Sequence, residues 1–109
     1  MNESFYTRDQ MPQISQDQIT TLIDTGIGKL VKLAPTKLRA TQKNFDYTKI
    51  ASMQSNPSEK PIVVSNDLYV CDCHHRWLAH DWNNPISACV IDLSWNDCLK
   101  FLAVVASTK

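Results

Sequence analysis

Apolar and polar positions alternate along this chain in short blocks, and each block has its own period. Over residues 15–25 the apolar residues Ile19, Leu22 and Ile23 share one helical face. Ser15 can cap that helix and Gly26 can end it. Residues 29–33 read as a strand with Leu30, Val31 and Leu33 as core candidates, stopped by Pro35, and residues 38–44 as a loop or short extended piece. Asp46 is suited to cap a helix running through Met53 that buries Ile50 and Met53. Asn56-Pro57-Ser58 breaks the chain. Residues 61–65 form a strong strand pattern, because Ile62-Val63-Val64 is β-branched throughout. Asn66-Asp67 turns tightly, and residues 68–72 pair back as the second arm of a hairpin. A helix is predicted over 74–82, ending at Asn83-Asn84-Pro85, and a further strand over 86–93. Ser94, with Asp97 three residues on as a weak capping-box partner, opens a last helix whose apolar positions are Leu99, Leu102, Val104 and Val105. The pattern predicts an α+β fold, a small mixed β-sheet packed with short helices, as one domain over residues 15–109. Residues 1–14 form a polar N-terminal segment, read as a flexible arm or a docking strand.

Composition narrows the function classes. With 109 residues, 43% of them apolar, the chain can bury a real core. Eleven basic residues balance eleven acidic ones, which argues against whole-molecule attraction to DNA or anionic membranes. Basic residues do concentrate in segment 29–49, with Lys29, Lys32, Lys37, Arg39, Lys43 and Lys49 against the single acid Asp46. No apolar stretch approaches the roughly 18 residues of a membrane span, so no membrane contact is expected. The polar N-terminus has no signal-peptide core, which points to the cytoplasm. Four cysteines in that setting read as free thiols. Cys71 and Cys73, two apart on a strand, are also too tightly tethered for an unstrained bridge.

The chemistry concentrates in Val70-Cys71-Asp72-Cys73-His74-His75-Arg76-Trp77-Leu78-Ala79, where a strand pattern gives way to a helical one. Backbone N–H groups at such a junction, with the positive end of a helix dipole, suit a phosphate or other anion. Arg76 can fork two N–H groups onto phosphate oxygens, or form a plain ion pair. His74 and His75 offer imidazoles that titrate near neutrality, or structural hydrogen bonds. Asp72 can act as a general base or a Mg²⁺ ligand, or cap the helix. Cys71 reads best as a small buried hydrophobe. Cys71, Cys73, His74, His75 and His80 crowd into one segment, which is not the two separated ligand pairs of a zinc site. Trp77, Trp82 and Trp95 can stack on a base, though a Trp on an amphipathic helix is more often core.

Three boxes in order resemble the ParB N-terminal/sulfiredoxin superfamily, over residues 29–103 or so. The first is Leu33-Ala34-Pro35 followed by Arg39-Ala40-Thr41-Gln42 and Asn44-Phe45-Asp46. The second is Lys60-Pro61-Ile62-Val63-Val64-Ser65, similar to the family's P-I-x-V strand. The third is the run from Val70 to Ala79, similar to the D-G-H-H-R motif of many ParB-like proteins. The resemblance implies a site where the third box meets nucleotide phosphates, with ATP, ADP or CTP and Mg²⁺ as candidate cofactors. It also brings Arg39, Gln42, Lys43 and Asn44 toward the acceptor or the phosphate. One departure matters: Cys73 stands where the motif has Gly, and a Gly there would permit positive φ and close approach of phosphate.

Fold membership does not choose the reaction. The expected function is a phosphate-chemistry enzyme acting on a nucleotide or nucleic-acid phosphate at residues 72–76, by kinase-like phosphoryl transfer or nuclease-like phosphodiester cleavage. Its candidate residues are Asp72, His74 and His75 for catalysis, Cys73, His74, His75 and Arg76 for phosphate, and Asp72 for the metal. Two alternatives stay open. One is a non-catalytic module that binds nucleotide, nucleic acid or a protein partner through the 29–49 surface. The other is a sulfiredoxin-like thiol enzyme, in which Cys73, beside His74 and a helix N-terminus, would have a depressed pKa.

Overall fold

The structure, a computed structural model, describes residues 10–108. Its elements in chain order are helix α1 (Gln16–Asp24), strand β1 (Gly28–Leu33), a 3₁₀ turn (Pro35–Lys37), strand β2 (Arg39–Ala40), helix α2 (Tyr47–Ser55), strands β3 (Ile62–Ser65) and β4 (Tyr69–Asp72), helix α3 (His74–Ala79), strand β5 (Ile86–Ile91) and helix α4 (Trp95–Ser107). The five strands form one mixed sheet in the order β1-β5-β3-β4-β2. β1 pairs antiparallel with β5, β5 parallel with β3, β3 antiparallel with β4, and β4 parallel with β2. This is the α+β class that the alternating pattern predicts.

The sheet has a core on each face. α1 and α4 lie over one face, where Ile19, Leu22, Leu99 and Leu102 pack on Val63, Cys71, Cys89 and Ile91. On the other face Trp77 and Leu38 pack on Ile62, Val64, Val70, Ile86 and Ala88. Successive residues of β3 and β5 alternate between the two cores, as the period of a strand requires. All four residues of β3 are therefore buried, which is why its β-branched run carries no polar alternation.

Four elements depart from the sequence expectation. Leu30, a core candidate, is 54% exposed on the edge strand β1, and Val104 is 62% exposed on α4. Neither Ile50 nor Met53 is fully buried, because α2 rests on α3 and not on the sheet. α3 ends at Ala79 and not at Trp82; His80 leaves the helix in an extended conformation. Ser94 does precede α4, but its side chain makes no capping bond. By contrast Ser15 and Gln18 close a full capping box on α1, and Asp46 accepts from the N–H groups of Thr48 and Lys49.

Gly28 fixes how closely β1 and β5 pack. A Cβ built there would overlap the Cys89 sulfur, which is itself buried beneath α1. Gly28→Ala should therefore destabilise the fold by about 1–3 kcal/mol through overpacking. Adding Cys89→Ala to the same chain should recover most of that loss. Urea denaturation of the wild type and the two variants checks it; a double variant no more stable than Gly28→Ala would locate the strain elsewhere.

Candidate functional site

Between β3 and β4 the ladder is irregular. Val63 stands opposite Asp72 and Val64 opposite Val70, which leaves Cys71 as an extra residue on β4. Such a bulge re-aims the side chain next to it. Cys71 drops into the core without exposure, and Asp72 ends the strand at the wall of a pocket. The chain then turns into α3 through Cys73, whose φ of 71° and ψ of 38° are left-handed. That is the conformation for which the third box of the resembled motif keeps a glycine. A residue with a Cβ holds it at a cost of roughly 1–2 kcal/mol.

The pocket holds about 170 Å³ and is lined by Asp72, Cys73, His74, His75 and Arg76 from the motif, Gln42 from the preceding loop, Lys49 and Met53 from α2, and Gln13 and Ile14 from the N-terminal segment. Lys49 and Met53 are four apart, so one face of α2 supplies both. Sequence reading did not single them out as site residues; their spacing gives them a common helix face but does not say what that face meets. Of the first-box group only Gln42 reaches the pocket, and its Nε2 donates to the carbonyl of Asn44 at 2.6 Å. Arg39, Lys43 and Asn44 are exposed and stand outside its lining.

Asp72 is the pivot of this site. Its Oδ1 accepts the N–H of Cys73 at 2.8 Å, and its Oδ2 accepts the N–H of Ile14 at 3.0 Å. Burial pushes its carboxyl up to about 6, against the pull of those two N–H groups and of Arg76 and Lys49. A carboxyl poised there can exchange a proton near neutrality.

The two histidines are engaged with the backbone. His74 Nε2 accepts from the N–H of Thr41 at 3.1 Å and of Gln42 at 3.3 Å. Burial, and next the neighbouring His75, push His74 down to about 3, so it is a neutral imidazole with its proton on Nδ1. His75 Nε2 accepts from the N–H of Asp46 at 2.9 Å. The pair thus fastens the loop before α2 to α3, with Phe45 packed edge-on against His75.

Arg76 is half tied. Its Nη1 donates to the carbonyl of Pro61 at 2.8 Å and lies 3.6 Å from the Cys73 sulfur. Its Nε is buried with no hydrogen-bond partner among the described residues. An unpaired buried donor costs about 1–3 kcal/mol.

The thiol expectation is reversed. Burial, and next the charge of Asp72, push Cys73 up to about 12, the opposite of an activated thiolate. The remaining cysteines are buried and free. Among the described residues no group of three or more His, Cys, Asp or Glu side chains is placed to hold a metal ion. Asp72 alone could give a phosphate-bound Mg²⁺ one carboxylate oxygen.

The basic segment 29–49 is not one surface. Lys29 and Lys32 lie on β1 and Arg39 on β2, the two opposite edges of the sheet, roughly 19 Å apart at about 4.8 Å per strand. Trp77 is core, its Nε1 donating to the Pro35 carbonyl at 3.1 Å. Trp82 stacks on Trp77, and Trp95 leans on Tyr69; the pocket lining contains no Trp. No helix of the described residues is long and apolar enough to cross a membrane. In comparisons with known proteins, no family model, no curated protein and no solved structure matches this chain.

Proposed function

We propose that this chain is a ParB-like phosphate-chemistry protein whose pocket at residues 72–76 takes a phosphoryl group. The observation that carries the reading is the meeting of a buried carboxyl poised near pH 6 with two cationic side chains, one of them holding an orphaned N–H, in a pocket of about 170 Å³. That volume lies below the roughly 300–1,000 Å³ of pockets that enclose a whole drug-sized ligand. It suits the anionic end of a ligand. A groove of about 830 Å³ shares Met53 and Arg76 with the pocket and has room for the rest, such as a nucleoside or the strand of a nucleic acid.

In this reading Arg76 and Lys49 neutralise the phosphoryl oxygens, and the Gln42 amide orients them. Asp72, ionised above pH 6, takes the proton of the attacking hydroxyl or water, in kinase-like transfer or nuclease-like cleavage. His74 and His75 are positioning residues that hold the loop carrying Gln42. Mg²⁺ arriving on the phosphate would supply further charge neutralisation and take Asp72 as one ligand; no step here depends on it.

A second reading is binding without turnover. Both Asp72 oxygens already accept backbone N–H groups, an arrangement that suits a structural carboxylate as well as a base.

Calorimetric titration with inorganic phosphate, ADP, ATP and CTP, with and without Mg²⁺, tests the proposal. Binding is expected for at least one of them, and Arg76→Ala or Lys49→Ala should weaken it roughly ten- to a hundredfold, the worth of one charge-assisted hydrogen bond. Binding with no phosphoryl or phosphodiester turnover would select the second reading. No binding, or binding indifferent to both substitutions, would remove the first.

A further inference from the structure

Residues 11–14 were expected to belong to an arm, yet they build one wall of the pocket. Met11 is 6% exposed and sits in the core beside Ile19 and Leu22, and Ile14 packs against the same cluster. Between these anchors the segment has no regular secondary structure, and Gln13 and Ile14 face the pocket. Among the bonds of the described residues its polar tie to the site is the N–H of Ile14 on Asp72 Oδ2 at 3.0 Å, which spans 58 residues. Directly after it Ser15 and Gln18 close the capping box of α1, so the capping bonds of the helix start stay intact when the segment lifts.

We propose that residues 11–14 are an autoinhibitory strap: docked, they occupy the free oxygen of Asp72 and narrow the pocket, and lifted, they release the carboxylate and open the site. The inference takes the pocket to be the anion site proposed above, and adds how access to it is controlled. The Met11 side chain is the latch. Besides the adjacent Cys73 N–H, the strap supplies the one bond to Asp72 among those described, so lifting it frees a further acceptor site on Oδ2 for a ligand. Segments with few buried side chains and a single backbone tie open locally at far less cost than the whole fold.

Cys73 reports on the pocket directly. It is partly exposed and lines the pocket, whereas Cys71, Cys89 and Cys98 are buried. Alkylation of the full chain by N-ethylmaleimide, followed residue by residue by mass spectrometry, therefore reads strap opening without any ligand. Met11→Ala should label Cys73 at least about tenfold faster than the wild type, because truncating a buried Met weakens docking, while Met11→Leu keeps the wild-type rate. Should Met11→Ala expose all the thiols together, the wild type in sub-denaturing urea decides. Cys73 labelling and exchange of the Ile14 amide should then rise together, well below the urea that exposes Cys71, Cys89 and Cys98. Equal Cys73 rates in Met11→Ala and wild type, or Cys73 reacting only together with the other thiols, would overturn the strap. Inorganic phosphate should slow Cys73 labelling in Met11→Ala; if it does not, the anion reading fails while the strap is judged on the rates alone.

Discussion

Replacing Asp72 with Asn should turn a nearly level stability–pH curve into a steep one. In the native protein two buried groups oppose each other. Asp72 is raised to about 6, mainly by burial, against the pull of Arg76 and Lys49. The folded state therefore holds that proton more tightly than the unfolded chain does. Its contribution to stability is complete below about pH 4 and is lost as pH rises through 6. His74 is lowered to about 3, by burial and then by His75. The folded state resists its protonation, so its contribution is complete above about pH 6.5 and is lost as pH falls toward 3. Between about pH 4 and 6 the slopes have opposite sign, each about 1.4 kcal/mol per pH unit. Asp72→Asn removes one of them. Stability should then climb by about 1.4 kcal/mol per unit across that window. His74→Gln, whose amide oxygen can still accept the Thr41 N–H, should produce the mirror image, with stability falling as pH rises. Urea denaturation at intervals from pH 4 to 7 measures both. Parallel curves for the wild type and the two variants would show that neither group is as buried as the geometry has it.

Trp77→Ala should cost about 3–5 kcal/mol, the range for removing a buried aromatic. The side chain is 5% exposed, fills the core between α3 and the sheet, and donates through Nε1 to the buried carbonyl region at Pro35. α3 is only six residues long, too short to hold itself, so this one side chain secures the helix that carries the motif. Trp77→Phe keeps most of the packing and loses the hydrogen bond, at about 1–2 kcal/mol. Trp82, 39% exposed and stacked on Trp77, should tolerate truncation to Ala at about 1 kcal/mol, the worth of an aromatic pair. Denaturation midpoints separate the three. A Trp77→Ala loss no larger than that of Trp82→Ala would mean that α3 is held by its histidines.

What was legible in the sequence follows from how local each signal is. The run Ile62-Val63-Val64 names a buried strand because β-branching and continuous apolarity act within a few residues. Ser15 and Asp46 name helix starts because a cap is a bond to an N–H two or three residues away. The strand-to-helix junction was legible for the same reason, since β4, the turn at Cys73 and α3 follow one another in the chain; the bulge at Cys71 was not foreseen. Leu30 and Val104 were misread because apolarity does not say which face a neighbour covers. On α4 the helical period places Val104 away from Cys98 and Leu102, and Leu30 stands on a sheet edge. The early end of α3 was missed because the chain breaker Asn83-Asn84-Pro85 stands downstream of it, and no local signal marks His80 as already extended. The parts of the pocket drawn from Gln13, Ile14, Lys49 and Met53 depend on packing between distant segments, and no local pattern announces such packing.

The bonds that assemble the pocket have a further consequence, for the order in which the chain folds. Ile14 meets Asp72 across 58 residues, Thr41 and Gln42 meet His74 across 33 and 32, and Asp46 meets His75 across 29. The hairpin of β3 and β4, by contrast, closes through Leu68 and Ser65, three positions apart. Among these contacts the loop-closure cost is lowest for the hairpin and highest for the strap. The sheet centre can therefore form while the pocket is still open, and α3 must be seated before the loop and the N-terminal segment have anything to bind. The pocket thus closes on the same long-range scale as β1 on β5, where Gly28 meets Ile91, and is assembled with the outer sheet and not with the hairpin.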